Sequence, residues 1–129
     1  MSEKNSIAIF DDDPMSLRLL TEILSDNYTV YAELDGKKCH ETAVRLNPDL
    51  ILLDIIMPDM SGFDVIHKLK GDEQTMNIPV IFVTNLTGPD EEDRGLSLGA
   101  VDYIKKPFNA QIVSESVSAQ MEIINKNRR

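Results

Sequence analysis

Leu50-Ile51-Leu52-Leu53-Asp54-Ile55-Ile56-Met57-Pro58 decides how the rest of this chain reads. Consecutive large aliphatic residues predict a strand buried on both faces, because a strand covered on one face alternates with polar residues. The run closes on a carboxylate, Asp54. The same pattern stands near the start, where Ile7-Ala8-Ile9-Phe10 runs into Asp11-Asp12-Asp13-Pro14. It returns as Val80-Ile81-Phe82-Val83-Thr84, and as Val101-Asp102-Tyr103-Ile104-Lys105 with Lys106 behind it.

Strands are therefore expected over 6–10, 28–32, 49–54, 80–84 and 101–104. Between them apolar residues recur at helical spacing: Leu17, Leu20 and Leu24; Phe63, Ile66 and Leu69; Val113, Val117 and Ile124. Asp13-Pro14 offers a capping side chain and then a proline at the first helical position. Pro89-Asp90-Glu91-Glu92-Asp93 opens another helix with acids in the turn that the helix dipole favours. Asn47-Pro48, Asn77-Ile78-Pro79 and Leu98-Gly99-Ala100 mark exits from helices into strands. Five strands alternating with five helices through short connections predict right-handed crossovers and a doubly wound parallel sheet, a single (βα)5 unit.

In an open parallel sheet the C-terminal strand ends face one crevice, where ligands bind. Asp11, Asp12, Asp54, Thr84 and Lys106 each lie at or just past such an end. Three converging carboxylates repel one another, so the arrangement suits a hard cation and a phosphoryl group. Asp13 is better placed to cap the first helix. Lys105 is expected to point away from Lys106, because neighbours in an extended segment face opposite ways.

Composition narrows the function. The chain has 129 residues, one domain by size, with 22 acids against 13 bases and a formal charge of −9. That balance argues against direct binding to nucleic acid or to an anionic membrane. A single cysteine, Cys39, cannot close an internal disulfide and fits a reducing compartment. No apolar run approaches the roughly 20 residues of a membrane span, and the first residues lack the blocks of a signal peptide. The expected location is cytoplasmic. His40 and His67 fall on predicted helices away from the strand ends and read as surface or packing residues. The last helix is expected to reach about Asn125. Residues 1–125 read as the domain and 126–129 as a polar tail, compatible with a true end or with the start of a linker to an output domain.

Taken together, Asp11-Asp12, the loop Asp54-Ile55-Ile56-Met57-Pro58-Asp59-Met60-Ser61-Gly62, Thr84 and Lys106-Pro107-Phe108 resemble, in order, the receiver domain of two-component response regulators. The resemblance covers nearly the whole chain. It implies a flavodoxin-like sheet of strand order 2-1-3-4-5, as in chemotaxis receivers. It implies Asp54 as nucleophile and phosphoacceptor, with Mg²⁺ (or Mn²⁺) held by Asp11, Asp12, Asp54 and the backbone carbonyl of Ile56. Lys106 would sit beside the phosphoryl group and Thr84 would bond one of its oxygens. Tyr103 would be the switch aromatic, turning inward when Thr84 moves.

The implied donor is the phosphohistidine of a sensor histidine kinase or of a histidine phosphotransfer protein. The implied output face combines the helix starting near Asp90, strand 101–104 and the last helix, a face that in the family docks partners or forms homodimers. Such a domain catalyses its own phosphorylation and does not turn over an external substrate. Asn85 departs from the small residue usual after Thr84. Ile56 and Leu86 are apolar at two positions that in the family modulate loss of the phosphoryl group, which implies slow self-dephosphorylation. Two rival readings remain. Asp11-x-Asp13 resembles the opening of haloacid-dehalogenase-type phosphatases, with Asp11 as nucleophile, but that leaves Asp54 and its loop unexplained. A degenerate receiver acting only as an interaction module is opposed by the intact acidic, hydroxyl and lysine set.

Overall fold

The computed structural model describes residues 4–58, 60–86 and 88–128. Asp59 of the loop quoted above and Arg129 of the tail lie outside the described residues. Each apolar run becomes a strand: β1 (Ser6–Phe10), β2 (Thr29–Glu33), β3 (Leu50–Leu53), β4 (Val80–Thr84) and β5 (Asp102–Lys105). Between and after them come α1 (Pro14–Leu24), α2 (Cys39–Leu46), α3 (Gly62–Lys70), α4 (Pro89–Ser97) and α5 (Ala110–Asn127). The strands form one parallel sheet in the order β2-β1-β3-β4-β5. This is the expected flavodoxin-like arrangement.

Period-two alternation divides each central strand between two cores. Ala8, Phe10, Ile51, Leu53, Val80 and Phe82 face one side, where α2 and α3 bury Ala43, Phe63, Ile66 and Leu69. Ile7, Ile9, Leu50, Leu52, Ile81 and Val83 face the other, where α1 and α5 bury Leu17, Leu20, Leu24, Val113, Val117 and Ile124. Asp13 caps α1 as expected: its Oδ1 accepts from the Met15 amide at 3.1 Å and its Oδ2 from the Ser16 hydroxyl at 3.0 Å.

Three strand boundaries shift. β2 starts one residue later than expected because the Tyr28 amide closes α1 on the Leu24 carbonyl at 3.0 Å. It is an edge strand and largely exposed, Tyr31 included. β3 is shorter than the expected 49–54, although the amides of Asp49 and Asp54 still bond the β1 carbonyls of Ser6 and Phe10. β5 runs one residue further along the chain, so that Lys105 pairs with Thr84. α5 extends past Asn125, and Lys126 and Asn127 are helical. Two small features had no sequence expectation: a 3₁₀ turn at Gly36–Lys38 and a two-stranded ribbon pairing Ile56–Met57 with Met60–Ser61.

Candidate functional site

Register brings the acids together. Phe10 of β1 pairs with Leu53 of β3, so the next residues, Asp11 and Asp54, leave the sheet side by side. Asp12 follows, and carboxylate oxygens of all three lie within 4.8 Å of one another. Asp11 and Asp54 are buried while Asp12 is exposed. The other wall comes from β4 and β5, where the Lys106 amide bonds the Thr84 carbonyl at 2.9 Å. The peptide bond between Lys106 and Pro107 is cis. Lys106 turns back over the sheet, its Nζ 2.8 Å from Asp11 Oδ2 and 3.1 Å from Asp54 Oδ2. Lys105 points outward, as expected, with its Nζ 4.0 Å from Glu92.

Asp12, Asp13, Asp54, Ile56, Asn85 and Lys106 line a cleft of about 260 Å³. Asp54 Oδ1 accepts from the Ile56 amide at 3.2 Å, and Asp11 Oδ1 from the Asp13 amide at 3.0 Å. Asp11 Oδ2 is buried without a hydrogen bond, since its contact with Lys106 is an ion pair outside hydrogen-bond geometry. Burial pushes the Asp11 carboxyl up to about 6; Lys106 and the Asp13 amide pull it down, and the charge of Asp54 adds to the rise. Burial works against the Lys106 ammonium, but Asp11 and Asp54 outweigh it and hold its pKa above the ordinary value. A buried carboxylate oxygen whose polar contact is the Lys106 ammonium, beside two more carboxylates, belongs to a donor set of hard oxygens that carries more negative charge than one lysine offsets, and it fits a cation such as Mg²⁺.

Thr84 is fully buried, and its Oγ1 accepts from the Leu86 amide at 3.2 Å. Tyr103 already lies inward, with its hydroxyl donating to the Leu86 carbonyl. The Leu86 side chain packs on the α3-side core, so of the two apolar positions singled out in the sequence only Ile56 lines the cleft. His40 pairs with Asp72 at 2.6 Å and His67 is exposed, both on helices outside this cleft.

Gly62 closes the loop that begins at Asp54, and its place in the fold gives it a role that the sequence does not show. A Cβ there would meet the Asp54 carbonyl oxygen at 2.4 Å and Ile55 Cα at 2.7 Å. Its amide donates to the Ile55 carbonyl at 2.7 Å, so α3 starts in contact with the backbone of Asp54. The only signal for this in the sequence is a glycine following a helix-capping serine, Ser61, a few residues after Asp54.

Residues 7–118 match the family model described as the response regulator receiver domain. A probable cyclic di-GMP phosphodiesterase of Vibrio cholerae is 38% identical over 117 residues, 91% of this chain and 26% of that protein. Response regulator PleD of Caulobacter vibrioides is 40% identical over 104 residues, 80% of this chain and 23% of that protein. The chain thus spans about a quarter of the length of these relatives. Among solved structures, the signal receiver domain of a putative Luxo repressor protein from Vibrio parahaemolyticus superposes with a TM-score of 0.91 at 24% identity, covering 98% of this chain and 96% of that one. At that identity the likeness speaks for the fold. Among the described residues no helix is long and apolar enough to cross a membrane.

Proposed function

This chain belongs to the response regulator receiver domain family, and from that premise we propose that it is a phosphoacceptor whose nucleophile is Asp54. Receiver domains are signalling modules, served by histidine kinases or phosphotransfer proteins. Here the donor is a phosphohistidine carried by such a partner. A carboxylate oxygen of Asp54 attacks phosphorus, the P–N bond breaks with its electron pair left on the imidazole, and an acyl phosphate remains. The observation that carries this reading is the placement of Lys106 Nζ between Asp11 and Asp54, at 2.8 and 3.1 Å, beside a carboxylate oxygen that has no hydrogen bond.

Asp11, Asp12, Asp54 and the Ile56 carbonyl would hold the Mg²⁺, or Mn²⁺ in its place. When bound, the cation supplies charge neutralisation to phosphoryl oxygens. Lys106 adds a compact positive charge on the same oxygens. Asp54 is held for attack by the Ile56 amide on its Oδ1, with Oδ2 toward Lys106. Thr84 donates its hydroxyl to a phosphoryl oxygen while still accepting from Leu86. Because Leu86 also takes the Tyr103 hydroxyl, a new bond at Thr84 is felt at Tyr103 and so at the face of α4, β5 and α5. Turning a 1:99 population into 99:1 takes about 5.5 kcal/mol. Two or three charge-assisted bonds of about 1.5–3 kcal/mol each are enough. Residues 1–125 act as one receiver unit.

Self-dephosphorylation is expected to be slow, because Ile56 lines the cleft and is exposed yet has no group to orient water. Ile56→Asn is expected to speed decay of the phosphorylated form on the order of ten-fold, short of a full general base. An unchanged decay rate would remove that explanation. The function itself is tested by intact mass after incubation with acetyl phosphate, with and without Mg²⁺, on wild type and Asp54→Ala. One phosphoryl group gained only with Mg²⁺ and only with Asp54 present is the expected result. Gain that persists in Asp54→Ala would move the nucleophile to Asp11, and no gain in the wild type would leave an interaction module.

A further inference from the structure

Gly62 ties α3 to the backbone of Asp54, and the next residue, Phe63, carries that contact inward. Its ring meets Phe82 of β4 edge-on, centroids 5.8 Å apart at 78°. Phe82 in turn meets Tyr103 of β5 edge-on, at 6.1 Å and 65°. All three rings are buried. Helix α4 is seated on this ladder at two adjacent residues. Gly95 lays bare backbone against Phe82, where a Cβ would come within 3.0 Å of two ring carbons and 3.6 Å of Tyr103. Arg94 reaches the other end of the ladder and sets its guanidinium 4.3 Å from the centroid of Phe63. A guanidinium over an aromatic face is attracted by the ring quadrupole. Among the described residues no carboxylate forms an ion pair with Arg94.

We propose that Arg94 is a positioning residue for the phosphoacceptor loop: through its stack on Phe63 it fastens α4 to the start of α3, and thereby to the backbone of Asp54. This inference rests on the phosphoacceptor reading. It adds a second mechanical link between the site and α4, distinct from the one through Thr84, Leu86 and Tyr103. The Thr84 link reaches α4 from the end of β4, whereas the Arg94 link reaches it from the far side of Asp54, by way of Gly62 and Phe63. A rearrangement of the Asp54 loop on modification shifts the Phe63 ring, and the cation above it moves with the ring. In the modified state the stack is the tighter one, so by reciprocity removing the cation weakens the site's hold on a phosphoryl group. One partly exposed cation–π contact corresponds to a factor of about two to five in an equilibrium constant.

The test is titration of the protein with beryllofluoride, a phosphoryl mimic, at saturating Mg²⁺, read by amide NMR shifts of α4 and of the Asp54 loop. Arg94→Met keeps the apolar stem and removes the cation, and Arg94→Lys restores a cation. Both changes are at an exposed side chain. The expected result is beryllofluoride affinity about two to five times weaker in Arg94→Met, with recovery in Arg94→Lys. In a Phe63→Leu background, Arg94→Met is expected to add nothing, because the ring it would stack on is gone. Equal affinity in wild type and Arg94→Met overturns the proposal, as does equal weakening by Arg94→Met with and without Phe63. Absence of beryllofluoride binding in the wild type would instead defeat the phosphoacceptor reading, and the link with it. If Phe63→Leu does not fold, the three-way comparison of wild type, Arg94→Met and Arg94→Lys still decides.

Discussion

Asp11 and Asp49 lie at opposite ends of the same sheet, one just past the end of β1 and the other just before β3. Asp49 is provided for. Its Oδ2 accepts from the Ser6 amide at 2.7 Å and from Asn5 at 3.2 Å, and Arg128, the C-cap of α5, sits 2.5 Å from Oδ1. Burial alone would push this carboxyl up, but Ser6, Arg128 and Asn5 hold it below its ordinary value. A reciprocal amide pair between Asn5 and Asn125 closes the same end. Asp11 is more deeply buried, shares Lys106 with Asp54, and leaves Oδ2 without a hydrogen bond. Its carboxyl is pushed up to about 6. One end of the sheet uses its acid to hold the chain together, and the other gathers acids around a single lysine, a repulsion that a bound cation would relieve. Stability and function are thus separated along the strand direction.

The comparison can be broken most forcefully at Asp49. Asp49→Ala removes an ion pair and the acceptor of several hydrogen bonds, and it should cost about 3 kcal/mol in urea unfolding while leaving Mg²⁺-dependent phosphorylation in place. A neutral result would show that this end is not the anchored one. The next effect concerns pH. Because the Asp11 pKa rises from 3.8 to about 6 on folding, the folded protein binds more protons than the unfolded chain between pH 4 and 6. Stability without metal should therefore fall as pH rises through that window, by on the order of 2 kcal/mol, and Asp11→Asn should flatten the slope. Denaturant titrations at several pH values in a chelator would show it. The smallest effect is at Tyr103. Tyr103→Phe removes the bond to the Leu86 carbonyl but keeps the ring on Phe82, so it should cost about 1 kcal/mol and leave the rate of phosphorylation unchanged. A large loss of phosphorylation would place Tyr103 in the chemistry of the site.

What was legible in the sequence follows the same division. Asp11, Asp12, Asp54, Thr84 and Lys106 were readable because each ends or follows an apolar run, and a parallel sheet collects such ends. The core positions of α1, α3 and α5 were readable from helical spacing. The Asp49 clamp was not, because Arg128 and Asn125 are far along the chain from Asn5, Ser6 and Asp49, and each alone reads as a solvated residue. The same holds for Arg94, whose partner ring is on another helix, and for His40 with Asp72. The start of β2 is blurred by one residue in the sequence because an exposed edge strand lacks the continuous apolar run that marks β3 and β4. The inward position of Tyr103 depends on a backbone carbonyl, that of Leu86, which has no sequence signature.

The most direct test of the divided sheet is thermal unfolding at pH 7 of wild type, Asp11→Asn and Asp49→Asn, each in a chelator and in Mg²⁺. In the chelator Asp11→Asn should melt above wild type, by roughly 5 °C, and Asp49→Asn below it. Mg²⁺ should raise the melting temperature of wild type and Asp49→Asn, and hardly that of Asp11→Asn. An Asp11→Asn protein that melts below wild type in the chelator, or gains as much from Mg²⁺ as wild type does, would contradict the account.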